Sequence, residues 1–368
     1  MRFKVEPRRQ VSTGLLVLTP VLSVVATVAV AAILFACMGY HAAQALYAFF
    51  VEPLLSVQGL TELALKASPL VMIGVGLAAG FRANVWNIGA EGQLIMGAVA
   101  GGGVALAFYG QDGAWILPLM CLAGILGGMA WGAVPAFLKT RFEVNEILVS
   151  LMLTYVAGLF LTMLVLGPWK DPEGMNFPQS RMFSDSALLP VLVEGTRLNA
   201  GALVSVAVAL AAWVVMSRSI LGFEIRTVGS APAAARYAGF SRARVVWLTM
   251  MAGSGLAGLA GVFEVAGPIG QLIPKLTPGY GFTAIIVAFL GRLHPLGILA
   301  AGLVMALTYI GGDNAQVTMG LPNAAVGLVQ AMLLFFLLAS DFLVRYRVRL
   351  ARPHPARKDP VREGSVPA

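Results

Sequence analysis

Residues Asn84–Leu94 read "NVWNIGAEGQL", and how this stretch is housed decides the fold. It sits between two apolar runs, "PLVMIGVGLAAGF" (Pro69–Phe81) and "IMGAVAGGGVALAFY" (Ile95–Tyr109). In hydrocarbon, a carboxylate at mid-depth costs about 2.5–3.5 kcal/mol on insertion scales. Unwound backbone survives there only when it is buried in protein or lines a cavity. Two asparagines, a glutamate and a glutamine in such a place therefore belong to the interior of a helix bundle, provided the chain is a membrane protein.

Composition meets that condition. Of 368 residues, 58% are hydrophobic and 11% charged, against about 25% charged in soluble domains. The net charge of +8 is spread along the chain and forms no soluble basic domain, so nucleic acid is not an expected partner; the bilayer is. Runs long enough to cross a membrane, about 20 apolar residues, occur near 12–39, 60–80, 85–109, 114–138, 146–166, 201–220, 245–267, 279–293, 296–311 and 324–344. With the N-terminus in the cytoplasm, twenty of the 25 Lys and Arg fall on the inside and only Lys170, Arg181, Arg197 and Lys275 outside. That asymmetry is the positive-inside pattern. Both termini are expected in the cytoplasm, with 167–200 as the main external loop and 221–244 as the main internal one. Residues 1–350 read as one transmembrane domain, and 351–368 as a basic, disordered tail.

Ten spans divide into two sets of five, and an odd number inverts the second set relative to the first. The expected fold is all-α and polytopic, in two inverted five-helix halves with broken helices near the midplane. The third span of each half is interrupted: "NVWNIGAEG" opens one, and "GYGFTAIIVAFLGRLHPLG" (Gly279–Gly297) carries the other, with Pro278 before it and Pro295 inside it. Paired interruptions point to a solute path. Asn84, Trp86, Asn87, Glu91 and Gln93 are its candidate residues, joined by Phe282 and Thr283. Asn87 can cap a helix starting at Ile88, which puts Glu91 in the first turn, near the positive end of the dipole. Two readings stay open for these groups: they cap a broken helix, or they touch solute. Glu62 and Lys66, spaced i, i+4, read as an interfacial pair, and Glu264 as an acid near the outer interface.

Other motifs fail their context. "GSGLAG" (Gly253–Gly258) copies a dinucleotide fingerprint but lies within an apolar span with no strand before it; small residues there mean close helix packing. "LFAC" (Leu34–Cys37) follows too long an apolar run for a signal peptide and reads as a plain first span. No G-x-x-x-x-G-K-S/T loop is present to grip ATP, His41, His294 and His354 form no metal cluster, and no nucleophile–base pairing stands out. The chain is not expected to be an enzyme.

The stretch "LGFEIRTVGSAPAAARYAGFSRARVVW" (Leu221–Trp247) contains a second signal. Pro232 suits the first turn of a short helix and Gly239 the position after its end. A two-turn helix is marginal alone in water and needs a surface to hold it. The pattern formed by Glu224, Arg226, Gly229, Ala235 and Gly239 resembles the coupling loop of ABC importer permeases, with Pro232 and Arg236 inside it. "NVWNIGAEGQL", "FEVNEILVSLMLTYVAG" (Phe142–Gly158) and "GYGFTAIIVAFLGRLHPLG" resemble the simple-sugar and nucleoside branch of the branched-chain amino acid permease family. The likeness covers about 60–340. It departs at Ser150 and Thr154, where the branch more often has threonine and asparagine. The resemblance implies a permease subunit in a bacterial inner membrane. It also implies a second homologous permease, an ATPase subunit that binds ATP–Mg, and an external substrate-binding protein; no cofactor is implied for this chain. A proton-coupled secondary transporter, using Glu91 or Glu264 as relay, is the alternative.

Overall fold

The computed structural model describes residues 2–7 and 13–351. In chain order, a strand β1 (Arg2–Pro7) leads to α1 (Thr13–Cys37). A short helix α2 (Ala42–Leu46) and tight turns through Leu54 return the chain to α3 (Val57–Arg82). Helices α4 (Ala90–Ala107), α5 (Ile116–Phe142) and α6 (Glu146–Leu166) follow, then an irregular connection. The second part holds α7 (Gly201–Arg218), α8 (Ile220–Ser230), α9 (Pro232–Tyr237), α10 (Arg242–Glu264), α11 (Tyr280–Leu290), α12 (Pro295–Met319), α13 (Asn323–Arg345) and β2 (Tyr346–Ala351). Seven of the described helices are long and apolar enough to cross a membrane, and three shorter apolar stretches lie in α1, α11 and α13. Each expected span is matched by one of these. The greater part of the basic tail, 352–368, lies outside the described residues.

Three boundaries differ from expectation. Helix α4 starts at Ala90 rather than near 85 or 88, because the backbone over 85–89 is non-helical. Helix α12 runs past its expected end at 311 to Met319. There Gly311 packs on the Phe49 carbonyl so closely that a Cβ would lie 1.8 Å from it, and the Asn314 amide donates to Ala48 O and Glu52 Oε2, both at 2.8 Å. Tertiary contacts thus offset the weakening of the helix by Gly311 and Gly312. Third, β1 and β2 pair antiparallel, Arg2 opposite Ala351, a small exception to the all-α expectation. This ribbon brings Arg2–Pro7 beside Tyr346–Ala351.

Burial sorts the helices into layers. The apolar windows of α3 and α10 are 78% and 72% buried, while those of α5, α6 and α7 are each 28% buried. The outer helices present apolar side chains such as Leu148, Met152, Leu159 and Leu203 to their surroundings, which is stable only in lipid or against another apolar surface. At the centre, α3 packs on α11 and α12 of the second half, α10 packs on α4 and α5 of the first, and α3 and α10 meet. That reciprocity is the contact pattern of two related five-helix halves. The "GSGLAG" stretch is its hub: a Cβ at Gly97 would lie 2.2 Å from Gly258 Cα, and one at Gly76 would lie 2.8 Å from Gly253 Cα. Backbones approach this closely only through small residues.

Candidate functional site

Helix α3 ends at Arg82, Asn84 takes a left-handed conformation (φ 56°), and the chain is non-helical until α4 begins. Non-helical backbone inside a bundle leaves amides without helical partners. Here α6 supplies them. The Trp86 N–H donates to Glu146 Oε1 (3.2 Å) and the Ile88 N–H to Ser150 Oγ (3.2 Å). Gly89 and Gly92 lie flat on the same helix, where added Cβ atoms would stand 2.6 Å from Ser150 O and 2.7 Å from Thr154 Cα. Glu146 is itself ion-paired with Lys139. Glu146, Ser150 and Thr154 are buried and spaced i, i+4, i+8, one face of a helix. That spacing was the available sign of a polar cradle, which residue-type reasoning passed over.

The asparagine and glutamine of the opening stretch satisfy each other. Asn87 Nδ2 donates to Gln93 Oε1 (2.8 Å), Gln93 Nε2 donates to Asn87 Oδ1 (3.1 Å), and the Gly89 N–H donates to Asn87 Oδ1 (3.0 Å). Asn87 therefore closes the turn before α4 rather than capping Ile88; Gly89 holds the cap position. Asn84 Oδ1 accepts from Trp86 Nε1 (3.1 Å). The Trp86 ring lies against Phe81 (5.0 Å between centroids) and Phe289 (6.0 Å, nearly parallel), so an aromatic plug joins α3, the first break and α11.

Glu91 bridges the two interrupted helices. Its Oε2 accepts the Gly281 N–H at 2.6 Å, and Oε1 accepts the Thr277 hydroxyl. Gly281 sits in the first turn of α11 and Glu91 in the first turn of α4. The two helices begin back to back: a Cβ at Gly281 would lie 2.2 Å from the Glu91 amide nitrogen. Two helix N-termini meeting in a bundle bring two partial positive charges together, and an acid between them offsets both. The carboxyl group thus has a structural place in the junction. The second break is stitched by the 167–200 connection, through Ser180 N–H to Leu272 O (2.9 Å), Phe183 N–H to Gly270 O (2.8 Å) and Leu189 N–H to Ala266 O (2.8 Å). Of the two residues expected there, Thr283 is buried and bonded to the Tyr309 hydroxyl (2.7 Å), while Phe282 is 39% exposed.

At the end of the bundle away from Arg82, a cavity of about 790 Å³ opens between α3, α12 and the turns at 52–59. It corrects the Glu62–Lys66 reading. Glu62 instead holds Arg197 by two 2.8 Å hydrogen bonds, which raise the arginine above its ordinary value. A guanidinium matches a carboxylate in this two-point geometry and an ammonium does not. Lys66 turns inward, its Nζ 5.6 Å from the Tyr280 ring centroid. Glu264, expected near the outer interface, is buried at the far end of α10.

At the basic end, α8 and α9 form a foot. The expected short helix is present as α9, with Pro232 in its first turn and Gly239 at φ 81° just beyond. Within α9 only Ala235 is buried; Tyr237 is 95% exposed, and Arg226 and Arg236 are exposed. Glu224 is buried on α8, a helix the sequence reading treated as loop. Gly229 of α8 presses on the start of the break, where a Cβ would lie 1.9 Å from Arg82 O. The foot and the interrupted helix are therefore in direct backbone contact.

The described chain is thus a bundle of apolar helices in which the N-termini of α4 and α11 meet and an exposed foot touches the break before α4. A family model described as branched-chain amino acid transport system / permease component matches residues 59–338. Over 361 residues the chain is 41% identical to glucose ABC transporter permease protein TsgB13 of Haloferax volcanii, covering 95% of this chain and 94% of that one. It is 30% identical over 334 residues to guanosine ABC transporter permease protein NupP of Bacillus subtilis (89% and 94% covered). It is 26% identical over 356 residues to nucleoside ABC transporter permease protein NupB of Lactococcus lactis (95% and 97%). The chain belongs to the branched-chain amino acid transport system permease family. It is a multi-pass permease of the ABC transporter class, not an enzyme.

Proposed function

We propose that this chain is the membrane subunit of an ABC importer that moves a nucleoside or a sugar into the cytoplasm by alternating access. The observation that carries the reading is the Gly229–Arg82 contact, which joins an exposed foot to a broken helix. The likeness to permeases named for glucose, guanosine and nucleosides supports a neutral polar solute. The foot lies at the end rich in Arg and Lys, which supports a cytoplasmic face for α9 and for both termini in the inner membrane. An ATPase subunit docks on α9 and binds ATP–Mg; a second homologous permease completes the membrane portion, and an external binding protein delivers solute at the opposite end.

In this mechanism ATP binding closes the ATPases and displaces α9. Helix α8 transmits the shift through Gly229 to Arg82 and Ala83, and the non-helical stretch 84–89 pivots on α6. Trp86 then parts from Phe289 and opens the plug, while the halves rock about the Glu91–Gly281 junction. Asn84, Trp86, Asn87, Glu91, Gln93, Phe282 and Thr283 line or support the path; with the polar groups of Asn87 and Gln93 mutually satisfied, most of this set supports it. Reconstitution tests the reading. Proteoliposomes holding the chain, its permease partner, ATPase and binding protein are expected to accumulate radiolabelled guanosine or glucose only with ATP inside the ATPase-bearing compartment. Uptake that survives without ATP and collapses with the proton gradient would overturn it.

A further inference from the structure

The cavity between α3 and α12 belongs to neither the breaks nor the foot, yet it is built with unusual polarity. Its volume of about 790 Å³ lies within the roughly 300–1,000 Å³ of small-molecule sites. Two of its acids are already engaged: Glu62 is ion-paired with Arg197, and Glu52 accepts from the Asn314 side-chain amide. Two lining charges remain open. Among the described residues, neither Lys66 nor Asp313 has an ion-pair partner within 4.0 Å, and both line this same cavity. An ammonium offers only donors and a carboxylate only acceptors. A hydroxyl group can accept from the first and donate to the second at once, and two neighbouring hydroxyls can span both. A phosphate or carboxylate solute would meet Asp313, Glu52 and Glu62, and a cation would meet Lys66 and Arg197.

We propose that this cavity is a solute subsite for the vicinal hydroxyls of a neutral ring, ribose or hexose, with Lys66 donating to them and Asp313 accepting from them. The assignment rests on the importer reading above and names the site where arriving solute is first held. Lys66 also lies over Tyr280 at the start of α11, so a solute drawing on Lys66 acts one side chain away from the Glu91–Gly281 junction.

Cysteine protection tests it. Gln58 lines the cavity and is exposed. The full chain carrying Gln58→Cys, with Cys37 and Cys121 changed to Ala, is labelled in proteoliposomes by a membrane-impermeant maleimide. Uridine and glucose at millimolar concentration are expected to slow labelling roughly tenfold, the worth of a hydrogen bond to a charged group, and ribose 5-phosphate to leave it unchanged. Asp313→Asn or Lys66→Gln is expected to remove the protection while keeping the solute-free labelling rate, which reports an intact fold. Protection that persists in both variants overturns the assignment. So does the lack of protection by uridine and glucose in a chain whose assembled transporter imports them with ATP, and in that case the importer reading stands. If the assembled transporter imports neither solute, the importer reading fails and the subsite falls with it.

Discussion

Replacing Glu91 with alanine is expected to be the most damaging single change in the membrane core. The substitution orphans the Gly281 amide and the Thr277 hydroxyl, and each buried unsatisfied group costs about 1–3 kcal/mol. It also leaves two helix N-termini facing each other with no negative group between them. The combined loss, about 2–6 kcal/mol, is a large part of the stability of an ordinary domain. Thermal unfolding of the purified protein should rank Glu91→Ala below Glu91→Gln, and Glu91→Gln below Thr277→Val, with wild type highest. Glutamine keeps one acceptor but not the charge, and Thr277→Val removes a single donor. A Glu91→Ala protein as stable as wild type would show that the junction does not depend on this side chain. Full transport by it would remove Glu91 from the mechanism altogether.

Gly229→Ala is expected to uncouple ATP hydrolysis from uptake. The new methyl group would stand 1.9 Å from Arg82 O and 3.0 Å from Ala83 Cα. Both neighbours are backbone, so relief must come from moving α8 away from the break. Overpacking of this kind costs about 1–3 kcal/mol, so uptake by the assembled transporter should fall roughly tenfold or more. ATPase activity should persist, because α9 keeps its own cap, its Gly239 turn and its exposed face. Equal losses of hydrolysis and uptake would point to failed docking, and no loss of either would place the linkage elsewhere.

The span count was legible because each crossing leaves an apolar run, and the distribution of Lys and Arg constrains their sum. The foot was legible because Pro232 and Gly239 punctuate it locally. Asn84–Leu94 could be recognised as sheltered, since its polar groups have no other tolerable place. Its partners could not be read. Glu91 bonds Gly281, 190 residues away, and no local rule links an acid to a distant glycine amide. Trp86 was a candidate for the solute path; its ring lies against Phe289, supplied by the other half. Glu62 and Lys66 had ideal helical spacing, yet Arg197 from the connecting segment outcompetes the lysine. In each case sequence gave the group's need and tertiary structure gave the partner. Ser150 and Thr154 show the reverse: they departed from the family pattern, so no role was carried over to them, but their backbone and side chains are what the first break rests on.

The claim on which the account turns is that nucleotide-driven motion of the foot reaches the break at 84–89. Asn84 is exposed at that break, and a cysteine there reports its accessibility directly. In the assembled transporter with Cys37 and Cys121 replaced by Ala, the labelling rate of Asn84→Cys is expected to differ roughly tenfold or more between the nucleotide-free and ATP-trapped states. Adding Gly229→Ala should abolish that difference. Identical labelling in the two nucleotide states would contradict the account.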